Sequence, residues 1–221
     1  AIDTIYVSGD IRYEELTKNS SEIAYIDFNQ MLGTVINFRT KTEPDELPIL
    51  LKARGNLMDA ADFTADVAFE MDDPKNAFSF SGTIGPMDLT KMNQLLEPIA
   101  DVRVKSGASE RAHFTFEGNT DVASGMMDLR YKKLKIAFLS GEAGEKRGFT
   151  QNLKTFFANS FVIHKSNPRL LSFRKGVIFF KRDKKRAIFN FWGKSILSGA
   201  VSSVGINRSK KNLSDFLKQK E

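Results

Sequence analysis

The sequence predicts a mainly β protein built on an antiparallel sheet that has one apolar face and a few amphipathic helices. Apolar and polar residues alternate at period two in several segments. Short turn sequences such as those at 72–74 and 117–119 separate these segments, and parallel pairing would need longer crossovers. A chain of 221 residues with 41% hydrophobic and 27% charged residues has an ordinary globular composition, which excludes disordered and fibrous classes.

Period-two alternation predicts half-buried strands in four segments before residue 117. It is clearest at 62–71, where Asp62, Thr64 and Asp66 lie on the polar face. The apolar residues of the four strands are Ile5, Val7, Ile11 and Tyr13; Phe63, Ala65, Val67, Phe69 and Met71; Phe78, Phe80, Gly82 and Ile84; and Ala112, Phe114 and Phe116. Each strand therefore contributes one apolar face to the sheet.

A fifth strand changes its phase part of the way along. The apolar residues after Gly125 are Met127, Leu129 and Tyr131, followed one residue out of step by Leu134, Ile136 and Phe138. One extra residue at Lys132 and Lys133 would return this set to the same face. The pattern predicts a β-bulge there.

Three helices are predicted, at 89–97, 149–161 and roughly 188–206. Asp88 is a suitable N-cap for the first, and Pro98 follows its predicted end. The polar, glycine-rich run at 140–148 is a candidate hinge. It would divide the chain into a β segment with one short helix at 1–140 and a basic helix–strand–helix segment at 141–221. One continuous domain fits the same pattern.

Catalytic and metal chemistry finds little support in the sequence. Cysteine is absent, which excludes disulfides and thiolate sites. The two histidines, His113 and His164, have unlike surroundings in sequence, so they do not indicate a metal or catalytic pair. The glycines at 82–86 lack the Lys-Ser/Thr of a phosphate-binding loop and fit a strand end with a turn. We therefore expect no enzyme activity, no metal and no cofactor.

Charge is unevenly distributed along the chain. Residues 1–100 carry 8 basic and 17 acidic side chains, a net charge of −9, and residues 101–221 carry 25 and 10, a net charge of +15. The asymmetry indicates an anionic partner for the basic half, or attraction between the halves. The positive excess is densest around KRDKKR at 181–186. The candidate membrane-surface residues are Lys181, Arg182, Lys184, Lys185, Arg186 and, on the following helix, Trp192.

Three interpretations fit this basic run: contact with an anionic membrane, contact with nucleic acid, or a solvated hairpin turn. Near an anionic membrane each Lys or Arg contributes about 1 kcal/mol. Nucleic acid is disfavoured because no aromatic stacking platform is interleaved with the charges. The helix at 188–206 fits either an interfacial helix with Trp192 at headgroup level or a helix that caps the open end of the sheet. Lys194, Asn190 and several serines argue against transmembrane insertion.

Several long linear patterns resemble a known family. A strand ending in Gly-x-x-Gly-Pro at 82–86 precedes Asp-Leu-Thr-x-x-Asn-x-Leu-Leu-x-Pro at 88–98. Val-x-Ser-Gly at 104–107, Phe-x-Phe at 114–116 and Gly-x-Met-x-Leu-x-Tyr-x-x-Leu-Lys at 125–135 follow. YVSGDIRYEELT at 6–17, the Asn-Pro pair at 167–168 and IFNFWGKSILSGAVSSVG at 188–205 extend the pattern over nearly the whole chain. This pattern resembles the C-terminal region of AsmA-like proteins, especially the versions found in Bacteroidota.

The resemblance implies a fold and a function. AsmA-like proteins are envelope proteins of bacteria with two membranes, held in the inner membrane by an N-terminal helix and extending through the periplasm. Their antiparallel strands curl into an apolar, taco-shaped groove along which phospholipids are thought to move toward the outer membrane. We therefore expect a partial β-groove, a periplasmic location and an anchor outside this chain, which would be part of a longer protein. The family supplies no catalytic residues.

The groove hypothesis identifies a candidate lipid-binding wall for phospholipid acyl chains. The alternative for each residue is a closed core beneath the predicted helices. A second functional hypothesis is an envelope interaction module that docks through its basic C-terminal part and carries no lipid. The wall candidates are Phe63, Val67, Phe69, Phe78, Phe80, Ile84, Phe114, Phe116, Met127, Leu129, Ile136 and Phe138.

Overall fold

The computed structural model describes residues 2–16, 22–39, 47–139, 163–170, 172–206 and 208–218. Its strands form one open, nine-stranded antiparallel sheet, which confirms the predicted mainly β fold. The strands are β1 (Ile2–Leu16), β2 (Ile23–Phe38), β3 (Ile49–Leu57), β4 (Ala61–Phe69), β5 (Phe78–Ile84), β6 (Met87–Asp88), β7 (Val102–Gly118), β8 (Val122–Phe138) and β9 (Gly176–Lys181). The described helices are a 3₁₀ turn (Leu89–Met92), α1 (Asn93–Ala100), α2 (Ile188–Ser203) and α3 (Arg208–Lys218).

The strands lie in sequence order across the sheet, from β1 at one edge to β9 at the other, with the short β6 pairing beside β7. One cross-strand row is apolar on every strand of this path. In register, the row consists of Ile5, Val35, Leu51, Val67, Phe80, Phe116, Gly125 and Ile178. We call it the apolar row, and the face that carries it the inner face.

The sheet curls around α2, so strands from both ends of the strand order contact this helix. Gly199 of α2 lies against Ile178 of β9. Asn190 of the same helix donates a hydrogen bond of 2.7 Å to the hydroxyl of Tyr13 on β1. Near one end of the sheet, α1 packs with Ala24 of β2 in a small apolar cluster. The result is a partial groove whose interior is occupied by helix along part of its length.

The predicted β-bulge in β8 is confirmed. Ala108 pairs with Lys132 and Ser106 pairs with Lys135, so β8 has one more residue than β7 between these pairs. Lys133 has a positive φ of 55°. Because the extra residue restores the phase, the apolar side chains before and after the bulge are buried on the same side.

The first predicted helix begins as expected and ends later. The Asp88 carboxylate accepts a 2.9 Å hydrogen bond from the backbone N–H of Thr90, which lowers the pKa of that carboxyl. The predicted end before Pro98 is wrong, because Pro98 lies inside α1. Ile99 and Ala100 are buried, and their burial offsets the backbone hydrogen bond that Pro98 cannot donate.

The remaining predicted elements differ in outcome. The helix at 188–206 is present as α2, whereas the helix at 149–161 and the hinge at 140–148 lie outside the described residues. Strands β2 and β3 and helix α3 are additional to the prediction. Strand β9 pairs with β8, and α2 packs on the inner face. The described residues of the segments 1–140 and 141–221 therefore share one sheet and one core.

Candidate functional site

The candidate wall residues lie on the inner face of the sheet, and most of them are covered by helix. Phe138 pairs with Val102 in the register, and its side chain is outside the described part. The buried members are Val67, Phe78, Phe80, Phe114, Phe116, Met127 and Leu129, and the partly buried members are Phe63, Phe69, Ile84 and Ile136. The structure brings this set together in a covered core, and contact between these residues and lipid stays a prediction.

Trp192 of α2 closes the aromatic part of this core. Its ring centroid lies 5.2 Å from that of Phe80 and 6.1 Å from that of Phe78, both in edge-to-face geometry. Phe80 in turn stacks on Phe116 at 4.8 Å. Trp192 is 7% exposed, so its prediction as a membrane-surface residue is wrong. Apolar contacts with the sheet hold its ring in the interior.

Helix α2 also closes the sheet along β9. The backbone N–H of Val177 donates to the Ser202 hydroxyl at 2.9 Å, and that of Phe179 donates to the Ser198 hydroxyl at 3.1 Å. These donors would otherwise be available to a further strand. Helix and strand approach closely because Gly199 has no Cβ; one placed there would lie 2.6 Å from Ile178 Cγ1. The β9 edge is therefore capped by side chains rather than by a strand.

Toward β1 the apolar row loses its cover. Val67 and Phe80 are buried, whereas Ile5, Val35 and Leu51 are only partly buried. Val7, which lies on the same face of β1 as Ile5, is 58% exposed. The inner face of β1 to β3 thus forms a shallow apolar surface that is continuous with the covered core.

Sequence reasoning missed part of this uncovered surface. The period-two alternation predicts that Ile5 and Val7 lie on the apolar face, but neither is among the predicted wall residues. Val35 and Leu51 belong to strands without a clear period-two signal. The cross-strand register, rather than either strand alone, reveals that they continue the apolar row.

A polar cluster fastens β1 to α2 beside the aromatic core. Lys194 Nζ lies 3.1 Å from Glu15 Oε2, and the two side chains are 15% and 10% exposed. Asn190 Nδ2 donates to the Tyr13 hydroxyl at 2.7 Å and to Glu15 at 3.3 Å. Burial is the main cause that raises the pKa of Tyr13. We call Tyr13, Glu15, Asn190 and Lys194 the β1–α2 clasp, because it joins the first strand to the helix that caps the last.

Most cations of the KRDKKR turn are engaged within the protein. Lys184 Nζ lies 2.7 Å from the Asp121 carboxylate and lowers its pKa. Lys181 Nζ lies 5.6 Å from the Phe216 ring centroid, and the Arg182 guanidinium lies 5.8 Å from that of Phe191. Lys185 and Arg186 are exposed. These contacts give the run a structural role, and membrane contact by it stays a prediction.

Asn167 joins the segment that precedes β9 to the C-terminal half of β8. Its backbone exchanges hydrogen bonds with Tyr131, and its side-chain amide donates to the carbonyl of Leu129 at 2.7 Å. The Tyr131 hydroxyl donates to the carbonyl of His164, and burial raises the pKa of Tyr131 to about 12. Arg174 Nη2 lies 2.6 Å from His164 Nε2; since arginine can only donate, that nitrogen accepts.

A second concavity lies on the outer face of β1 to β4 and has a volume of about 610 Å³. Its lining includes Tyr6, Leu32, Lys52, Arg54 and Asp66. Lys52 pairs directly with Asp66 in the register, so opposite charges meet in its wall. This mixed lining differs from the apolar surface that the groove hypothesis requires.

The described residues contain neither a candidate metal cluster nor a helix that could span a membrane. Within the described ranges, no group of three or more His, Asp or Glu side chains is arranged to hold a metal ion. No described helix combines the length and hydropathy needed to cross a membrane.

No protein-family model, no curated protein and no solved structure matches the chain. The resemblance to AsmA-like proteins therefore rests on the sequence patterns alone.

Proposed function

We propose that this chain forms the closed end of an apolar β-groove that holds the acyl chains of phospholipids. The observation that carries the proposal is the graded cover of the apolar row. From β4 to β9 the members of the row are buried, except the half-buried Gly125. The row then continues, still apolar and less covered, onto β1 to β3. A continuous strip of this kind matches hydrocarbon rather than a polar ligand.

The two edges of the sheet support a direction for the groove. At β9 the Ser198 and Ser202 hydroxyls accept hydrogen bonds from outward backbone N–H groups, so these groups are not available to a further strand. At the opposite edge, no described strand pairs with the outer side of β1, a strand of 15 residues. Long unprotected edges usually pair with another strand. A further strand along β1 would extend the uncovered inner face into a longer trough.

The chemistry of the strip predicts loose selectivity. Ile5, Val7, Val35 and Leu51 offer methyl and methylene groups, which recognise chain length and fluidity rather than a headgroup. We expect phospholipids of different headgroups to bind with similar affinity.

The resemblance to AsmA-like proteins supplies the cellular setting of the proposal. The chain would act without catalysis in the periplasm, in a protein anchored in the inner membrane outside this chain, and would assist phospholipid transport toward the outer membrane or its assembly. This setting can be tested by the location and lipid content of the intact protein in a bacterium with two membranes.

A titration with a fluorescent acyl probe tests the binding proposal. Replacing Val7→Asp places a carboxylate on the uncovered inner face, and we expect the affinity for the probe to fall about tenfold or more. Thr4→Asp on the outer face of the same strand is the matched control and should bind like the parent. A parent that binds no probe, or equal affinities in both variants, would contradict the proposal.

The open edge of β1 also favours a second function, that of a protein-interaction module without lipid. In that case an extended peptide would pair along β1 through backbone hydrogen bonds. Lipid-free protein that still captures its partner, with Val7→Asp as effective as the parent, would support this alternative over the first.

A further inference from the structure

Leu170 lies in a short turn of the segment that precedes β9 and pairs with the C-terminal half of β8. Arg169 and Ser172 close the turn through two backbone hydrogen bonds of 2.8 and 2.9 Å. The residues that flank the turn are anchored, because Asn167 is 2% exposed and its amide also donates to the carbonyl of Arg174 at 2.8 Å. Leu170 itself is 94% exposed. An apolar side chain is thus exposed to solvent next to anchored residues.

Folding of the described chain does not account for leucine at this position. Leu170 has a φ of 53°, in the left-handed region that glycine and asparagine adopt with least strain. Its side chain also buries almost no surface that could offset the strain. A strained, exposed apolar residue is a feature from which a functional role can be inferred.

Basic residues lie on the segment that carries this turn and on the part of β8 that pairs with it. Lys165 and Lys175 are exposed on the same segment as Arg169. The carbonyl of Lys165 accepts a 2.8 Å hydrogen bond from the backbone of β8, which carries Arg130, Lys132, Lys133 and Lys135 in this region. We call Arg130, Lys132, Lys133, Lys135, Lys165, Arg169 and Lys175 the basic collar.

The basic collar contains an unfavourable arrangement that an anionic partner would relieve. Arg130 is directly opposite Arg111 on β7, and like charges in register repel. The Arg130 guanidinium lies 5.1 Å from the Phe173 ring centroid, which fixes it beside the turn. Glu110 lies 3.3 Å from Lys132 at the surface and balances one of these charges.

We propose that Leu170 inserts into the interface of an anionic phospholipid membrane while the basic collar contacts the headgroups. An exposed apolar side chain, with cations on its own segment and on the adjacent part of β8, combines the two contributions that peripheral membrane binding needs. Nucleic acid fits less well, because leucine does not stack on bases and the ring of Phe173 faces Arg130. The inference uses neither the inner face nor the KRDKKR turn, so it stands independently of the proposed groove.

Co-sedimentation with vesicles of phosphatidylcholine, with and without phosphatidylglycerol, tests the insertion of Leu170. We expect the parent to bind the anionic vesicles and not the neutral ones. Leu170→Asn should weaken this binding about tenfold, because the apolar contact is lost. Its thermal stability should equal or exceed that of the parent, because asparagine suits the left-handed backbone. Leu217→Asn on α3, at a 53% exposed leucine, is the control and should bind like the parent.

The basic collar is tested in the same assay. Lys135→Gln and Lys165→Gln should each weaken binding about fivefold at low salt. Lys185→Gln and Arg186→Gln, in the KRDKKR turn, remove the same number of charges elsewhere and should change binding less. Unchanged binding of Leu170→Asn, or equal binding of the parent to neutral vesicles, would overturn the proposal. Retention on duplex DNA without any vesicle binding would overturn it in favour of nucleic acid.

Discussion

The hydroxyl of Ser202 accepts a 2.9 Å hydrogen bond from the backbone N–H of Val177, so a helix side chain stands where a neighbouring strand would otherwise accept. Ser202 is fully buried in this contact. One helical turn earlier, the hydroxyl of Ser198 accepts a hydrogen bond from the backbone N–H of Phe179. Because serines four residues apart project from one side of a helix, α2 can follow the strand and cap successive outward donors. Hydrogen bonds from these two N–H groups of β9 to serine side chains therefore close this edge of the sheet.

Replacing Ser202→Ala should destabilise the protein by about 1–3 kcal/mol, since it leaves the buried N–H of Val177 without an acceptor. Denaturant unfolding measures the loss, and amide exchange at Val177 should accelerate. Ser214→Ala on the exposed side of α3 is the control and should change stability little. Equal effects of the two substitutions would show that the cap does not hold the edge.

Two glycines of α2 should respond oppositely to alanine. At Gly193 a Cβ would meet no atom within 4 Å, so Gly193→Ala should stabilise the helix by about 0.5–1 kcal/mol through propensity. At Gly199 a Cβ would lie 2.6 Å from Ile178 and 3.1 Å from Met127. Gly199→Ala should therefore destabilise by about 1–2 kcal/mol despite the same gain. If Gly199→Ala also stabilises, α2 does not pack on β8 and β9 as described.

The ion pair of Glu15 and Lys194 should couple more strongly than an exposed pair. A double-mutant cycle with Glu15→Gln and Lys194→Gln should give a coupling energy of about 1–2 kcal/mol, because both side chains are largely withdrawn from solvent. The pair of Asp121 and Lys184, 52% and 70% exposed, provides the reference and should give at most about 0.5 kcal/mol. Similar couplings for the two pairs would argue against a closed β1–α2 clasp.

His164 should make stability fall as the pH is lowered below about 6.5. Burial, with Arg174 and then Arg169 as further causes, lowers the pKa of His164 below its ordinary 6.5. The unfolded chain therefore takes up a proton before the folded chain does, and the stabilisation present above pH 6.5 is lost toward the folded pKa. The unfolding temperature should drop between pH 7.5 and 5.5, and by less in His164→Gln. An unchanged drop in that variant would exclude His164 as its source.

Clean alternation explains which strands the sequence predicted and which it did not. Strands β4 and β5 expose one face and bury the other, so their pattern is directly readable. Strand β2 carries apolar residues on both faces, including Ile23 and Ile26, and a register shift between Asn29 and Leu32 breaks its phase. No single period describes such a strand, and its place follows from pairing with β1 and β3.

The sequence predicted which residues lie on the inner face, but not that α2 covers most of them. Period two identified the inner-face residues because side-chain direction is a local property. Coverage by α2 depends on the curl of the sheet, which brings Tyr13 and Ile178 to the same helix. In the sequence, the serines of α2 argued only against insertion into a membrane. Their hydrogen bonds to the edge of β9 depend on the folded structure. The sequence does not distinguish Leu170 from other leucines; its positive φ and its exposure are visible only in the structure.

The most direct test of the lipid-groove proposal is site-specific photo-crosslinking on β1, in cells of a bacterium with two membranes. A photoreactive residue at Val7 faces the uncovered inner surface, and one at Thr4 on the same strand faces outward. Mass spectrometry of the purified proteins identifies the adducts. The proposal predicts phospholipid adducts at Val7 and few or none at Thr4. Absence of lipid at Val7, or equal labelling at both positions, would contradict the groove.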